Sequence, residues 1–138
     1  MAHPALPALD KARLGTVFVL RHGRSLANEA GIIISRMDNG VLAKYALAPE
    51  GVRQAEAAGA ELRAWLDGAG LAAADVRVVS SPFSRTLQTA AAAVAQLGLP
   101  ADAVQPDDAL AERFFGDELE GTPHRRVHSR ARRSSQRI

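Results

Sequence analysis

The stretch Thr16 to Asn28, TVFVLRHGRSLAN, constrains this chain more than any other. Val17, Phe18, Val19 and Leu20 form a run too short for a buried helix and rich in β-formers, which predicts a strand buried on both faces. Arg21, His22, Gly23 and Arg24 follow at its carboxyl end, then Ser25 and Asn28. Ligands of open α/β sheets sit just beyond the carboxyl ends of strands. Such a strand delivers a permanent cation and an imidazole to that rim, and the glycine allows a sharp turn and close approach of a ligand. The arrangement suits a nucleophilic histidine attacking a phosphate held by arginine. Taken alone, His22 could equally be an ordinary loop histidine.

The remainder of the chain supplies the context. At 138 residues it is about one domain, with enough apolar content (47%) for a core. It has no cysteine, so disulfides and thiolate metal sites are ruled out, and no apolar run approaches the length of a membrane span. The first fifteen residues lack a secretory signal pattern; a cytoplasmic location is expected, with organelle targeting left open. The net charge of +2 is uneven: six of the seventeen basic residues are arginines beyond residue 121, leaving residues 1–121 at −4. That body gives no sign of nucleic-acid binding.

Residues 1–15, with Pro4, Pro7 and Gly15, form a loose leader in this reading. Ser25 to Ala30 can begin a helix whose free N–H groups face the same rim. Ile32, Ile33 and Ile34 fit either a short strand or the anchor of a pocket loop, and Asn39-Gly40 signals a turn. Pro49 and Glu50 suit the start of a helix, and Val52, Ala55, Gly59, Leu62 and Leu66 give it one apolar face until Asp67-Gly68. A second strand is predicted at Val76–Ser80. Ser81-Pro82 then caps a helix with a stripe of Leu87, Ala91, Val94 and Leu97, and Arg85 lies in its first turn, aimed at the same rim as His22. A proline-bounded link from Leu99 to Pro106 leads to Leu110–Gly116 and Glu118–Gly121. Strands alternating with helices predict a layered α/β fold with a mostly parallel sheet.

In order and spacing, RHGRSLAN, LAPEGVRQA, SSPFSRTLQTA and LAERFFGDELEG resemble the histidine phosphatase superfamily, in its phosphoglycerate-mutase-like branch. The resemblance covers Val17 to Gly121 and implies a three-layer α/β sandwich, incomplete at the C-terminus. It implies that His22 accepts the phosphoryl group, that Arg21 and Arg85 grip its oxygens, that Asn28 lines the pocket and that Glu112 protonates the leaving group. Fixed cations suit a reaction that spreads negative charge over phosphoryl oxygens. No cofactor or metal is implied, and the expected partner is a small phosphorylated metabolite rather than a membrane or a nucleic acid. The function expected is phosphoryl transfer or hydrolysis through a phosphohistidine, with a catalytically impaired phosphate-binding module as the alternative.

Two departures stand out. Ala48 replaces the family's Ser or Thr helix cap, at a cost of about 1 kcal/mol. The family's later catalytic histidine has no counterpart, so residues 16–121 are expected to be a partial domain with an exposed sheet edge. Residues 122–138 fit a basic arm for phosphate-rich partners, a solvated disordered end, or a shifted reading frame of a GC-rich gene; the abrupt change of composition favours the last. Neither His124 nor His128 follows an apolar run, so neither is assigned a role.

Overall fold

The computed structural model describes residues 15–125; most of the leader expected over 1–15 and of the tail expected over 122–138 lies outside the described residues. Four helices and two short strands carry the fold: α1 (Leu26–Ala30), α2 (Met37–Gly40), α3 (Pro49–Ala69), β1 (Val78–Ser80), α4 (Ser84–Gln96) and β2 (Val104–Pro106). Strands β1 and β2 are parallel neighbours with Val78 opposite Val104 and Ser80 opposite Pro106, and α4 forms the crossover between them. This is the parallel α/β unit that the alternation of elements implies.

The helix pair α3–α4 is the principal packing contact. Pro49 opens α3 at its first turn, Ala48 provides no side-chain cap, and Gly70 closes the helix in the left-handed conformation. Ala55, Gly59 and Leu66 are buried as the spacing requires, with Val52 and Leu62 half-buried. A β-carbon on Gly59 would lie 2.5 Å from the carbonyl oxygen of Ala93 in α4, so the helices touch backbone to backbone there. In α4 the deepest side chains are Arg85, Thr89, Ala93 and Val94, while Leu87 and Ala91 are only half-buried. The inward face is therefore rotated from the apolar stripe toward Arg85, because that cation is buried among specific partners.

Four local expectations are corrected. Val17–Leu20 is not a buried strand: it pairs with no strand among the described residues, and Val17 (67%) and Val19 (95%) are largely exposed. Apolar β-formers specify a strand only where a neighbouring ladder accepts their hydrogen bonds. Phe18 instead packs edge-on against Trp65 of α3, ring centroids 4.7 Å apart. Conversely, part of the Leu99–Pro106 link is strand β2. Helix α4 begins at Ser84 rather than at Pro82; the Ser81 hydroxyl accepts from the Phe83 amide one turn earlier. Asn39-Gly40 belongs to the one-turn helix α2.

The isoleucine run forms a pocket-side segment tied to the chain beyond Gly121. Ile33 N–H donates to Thr122 O (2.9 Å), Gly121 N–H to Ile33 O (2.7 Å) and His124 N–H to Gly31 O (3.0 Å), with an antiparallel bridge between Ile32 and Pro123. The start of the expected tail is thus part of the packed structure.

Substituting Gly59→Ala tests the helix contact. Overpacking costs about 1–3 kcal/mol, and a rigid backbone neighbour places this site at the upper end. Helix propensity returns at most about 1 kcal/mol. A net loss of about 2 kcal/mol or more is expected in urea denaturation.

Candidate active site

Arg21 and His22 leave the extended segment just before a turn that is fixed on two sides. Gly23 N–H donates to the Thr89 hydroxyl (3.1 Å), which in turn donates to Arg85 O (2.7 Å) in α4. A β-carbon on Gly23 would fall 2.3 Å from Gly51 O, and one on Gly51 would fall 2.1 Å from Arg24 O. The turn is therefore wedged against the first turn of α3, at a separation only two glycines permit. Ser25 then caps α1: its hydroxyl accepts from Asn28 N–H (3.1 Å), while Asn28 Oδ1 accepts from Ser25 N–H (3.0 Å). This reciprocal box occupies N–H groups that the sequence alone assigns to an incoming anion.

The box, Arg21, His22 and Arg85 converge on one cavity of about 270 Å3, which Asn28, Glu112, Phe115 and His124 also line. His22 and Arg85, 63 residues apart in sequence, are in direct contact: Arg85 Nε–H donates to His22 Nε2 at 3.2 Å. The tautomer follows from the partners. His22 Nδ1 faces Gly23 O at 2.8 Å; a carbonyl only accepts, so Nδ1 carries the proton and Nε2 presents its lone pair. Burial pushes the His22 imidazole below its ordinary value of 6.5, against the pull of the Gly23 carbonyl, and the Arg85 and Arg21 cations push it down further.

Arg85 is 6% exposed. Its Nη1 donates to Ile34 O (3.2 Å), its Nη2 stands 4.0 Å from Glu112 Oε2, and its guanidinium lies 4.8 Å from the centre of the Phe83 ring. Burial draws the guanidinium down from its usual value, and the Glu112 carboxylate opposes that shift. Glu112 is itself exposed, and its other oxygen accepts from the Arg113 amide at 3.1 Å. Arg21 is exposed at the cavity edge. All five residues singled out from the sequence therefore line the same cavity.

Several contributors were not legible from the sequence. His124 reaches the cavity wall with Nε2 2.7 Å from Ile32 O. Thr89, Phe83 and Ser35 support Gly23, Arg85 and the Glu112 segment without being marked by any local motif. Among the described residues no cluster of His, Asp and Glu is arranged to hold a metal, and no helix is long and apolar enough to cross a membrane.

Fold and site together define an α/β protein with an imidazole and guanidinium groups around one cavity. The chain belongs to the histidine phosphatase superfamily (branch 1), whose profile matches residues 17–138. No curated protein matches it. Among solved structures it is similar to a mycobacterial glucosyl-3-phosphoglycerate phosphatase complexed with VO3, with 25% identity and a TM-score of 0.56. It is also similar to a protein described as mycobacterial hydrolase 1, with 25% identity and a TM-score of 0.55. Each match covers 80% of this chain, and the chain spans 44% of the length of each of these neighbours.

The His22 environment yields a titration test. NMR of the imidazole should give a pKa below 6.5, and Arg85→Gln should move it upward by removing a nearby cation. Because the folded pKa lies below the unfolded one, the unfolded state binds the extra proton. This contribution to stability is therefore intact above pH 6.5 and is lost as pH falls through the lower folded value. A His22 pKa at or above 6.5 contradicts the geometry.

Proposed function

We propose that this chain carries the phosphate-handling half of a phosphomonoesterase that works through a phosphohistidine at His22. The observation that carries this reading is the Arg85 Nε–His22 Nε2 contact at 3.2 Å, with Nδ1 committed to Gly23 O. In the free site the guanidinium occupies the nucleophile's lone pair. A bound phosphoryl group offers Arg85 better acceptors, charged oxygens that pair bidentately with its fork, and so frees Nε2 for attack. Arg21 and the Nδ2 end of Asn28 supply further donors to the same oxygens.

The Nε2 lone pair then forms a bond to phosphorus as the phosphorus–ester oxygen bond breaks. The leaving oxygen takes the proton of the monoanionic ester, which the Glu112 carboxylate lining the cavity picks up from the phosphoryl group and passes on. Water, deprotonated by the same carboxylate, attacks the phosphohistidine, and inorganic phosphate leaves with His22 restored. The mycobacterial neighbour's name and its bound VO3 support a phosphate monoester as the substrate class.

Hydrolysis of 4-nitrophenyl phosphate tests the reading. His22→Ala should lower kcat/KM by about 10³-fold or more, and Arg85→Ala by about 10²–10³-fold through lost charge stabilisation. In the wild type, kcat/KM should fall on the acid side as His22 takes up its proton, with an apparent pKa below 6.5. Undiminished activity in His22→Ala overturns the mechanism. Thermal stabilisation by inorganic phosphate without turnover makes the chain a phosphate-binding module instead.

A further inference from the structure

Glu120 is 85 residues from Ser35 in sequence, yet its carboxylate accepts four hydrogen bonds from the segment that begins at Ser35. Oε2 accepts from Ser35 N–H (2.9 Å), Ser35 Oγ–H (2.8 Å) and Arg36 N–H (3.0 Å), and Oε1 accepts from Asn39 Nδ2–H (2.8 Å). Four donors on one carboxylate favour its charged form, and these bonds hold Glu120 below its usual value despite the opposing effect of burial. None of these four bonds reaches the cavity, although the Glu120 charge also favours the Arg85 cation. Its importance lies in which peptide group it grips.

The Ser35 N–H and the Ile34 carbonyl are the two ends of one rigid, planar peptide unit. Glu120 takes the N–H end at 2.9 Å, and Arg85 Nη1 takes the carbonyl end at 3.2 Å. The carboxylate faces the positive end of the peptide dipole and the guanidinium faces the negative end, so each bond polarises the other favourably. The Ser35 hydroxyl, its single proton given to Glu120, accepts from Phe115 N–H at 3.2 Å and so anchors the segment that carries Glu112.

We propose that Glu120 is a positioning residue for the phosphate site, acting through the Ile34–Ser35 peptide to hold the Arg85 guanidinium against His22. The inference rests on the reading of Arg85 and His22 as the phosphate site. It is not the same as holding the chain together: the segment around Glu120 is separately tied to the isoleucine run by the Ile33–Thr122, Gly121–Ile33 and His124–Gly31 backbone bonds.

Two readouts that need no turnover test it: inorganic phosphate affinity by calorimetry, and the His22 titration by NMR. In Glu120→Ala the peptide is free to rotate, Arg85 loses a fixed acceptor, and phosphate affinity should weaken about tenfold. The His22 pKa should rise toward 6.5, because the Arg85 cation no longer sits against it. Deleting a negative charge without moving Arg85 would shift His22 the opposite way, so the sign separates positioning from simple electrostatics. Glu120→Gln, which keeps an oxygen for the Ser35 and Arg36 amides, should restore phosphate affinity to within about threefold of wild type. If Glu120→Ala is unfolded by circular dichroism, Glu120→Asp, too short to span Asn39 and both amides, is read in its place. Unchanged phosphate affinity and an unmoved or lowered His22 pKa in a folded variant overturn the proposal. Failure of the wild type to hydrolyse any phosphomonoester would count against the mechanism at His22 and leave these two readouts intact.

Discussion

Burying a guanidinium is the constraint from which the rest of this structure follows. A cation taken out of water costs several kcal/mol unless its donors are matched and an opposite charge stands near. Arg85 meets that demand with a carbonyl, an imidazole nitrogen, the Glu112 carboxylate and an aromatic face, drawn from four separate parts of the chain. Each partner is thereby fixed relative to the others. The inward rotation of α4 follows from satisfying this side chain, and the isoleucine run and the Glu112 segment, which have ties of their own, meet at it.

What makes the cation expensive to bury also makes it useful. Its interactions in the free site are with neutral groups or with a carboxylate 4.0 Å away, none as strong as a phosphate oxygen pair. The burial that depresses the His22 pKa favours the neutral imidazole, the form that the proposed nucleophile requires. In the proposed reading, structure and chemistry therefore draw on the same set of contacts: the donors that hold the fold in the free site are those offered to a phosphate.

Helices α3 and α4, and the meeting of His22 with Arg85, were legible because their signals are local: three- and four-residue apolar spacing, a first-turn proline, and two turns leading into helices, each carrying a basic residue, of which only the second follows a strand. Where the reading failed, the deciding information was not local. Val17–Leu20 has the composition of a strand but no ladder partner among the described residues, whereas Val104–Pro106, with a proline at its end and no periodicity, is one because β1 lies beside it. The Ser35–Glu120 bonds are of the same kind. Hydrogen bonds between segments leave no period in a sequence, and a glutamate that reads as a solvated charge can be committed to four donors.

The capping box has a consequence for position 28. Asn28 lends its carbonyl end to the start of α1 and also lines the cavity, so one short side chain is shared between the scaffold and the candidate site. Aspartate would preserve the anchor but meet an arriving anion with like charge, serine is too short to serve both directions, and glutamine would displace the anchor by a methylene. Position 28 therefore answers to two neighbours at once: in the proposed site aspartate would keep the helix start and turn away the anion, whereas a residue of different reach disturbs the helix start as well.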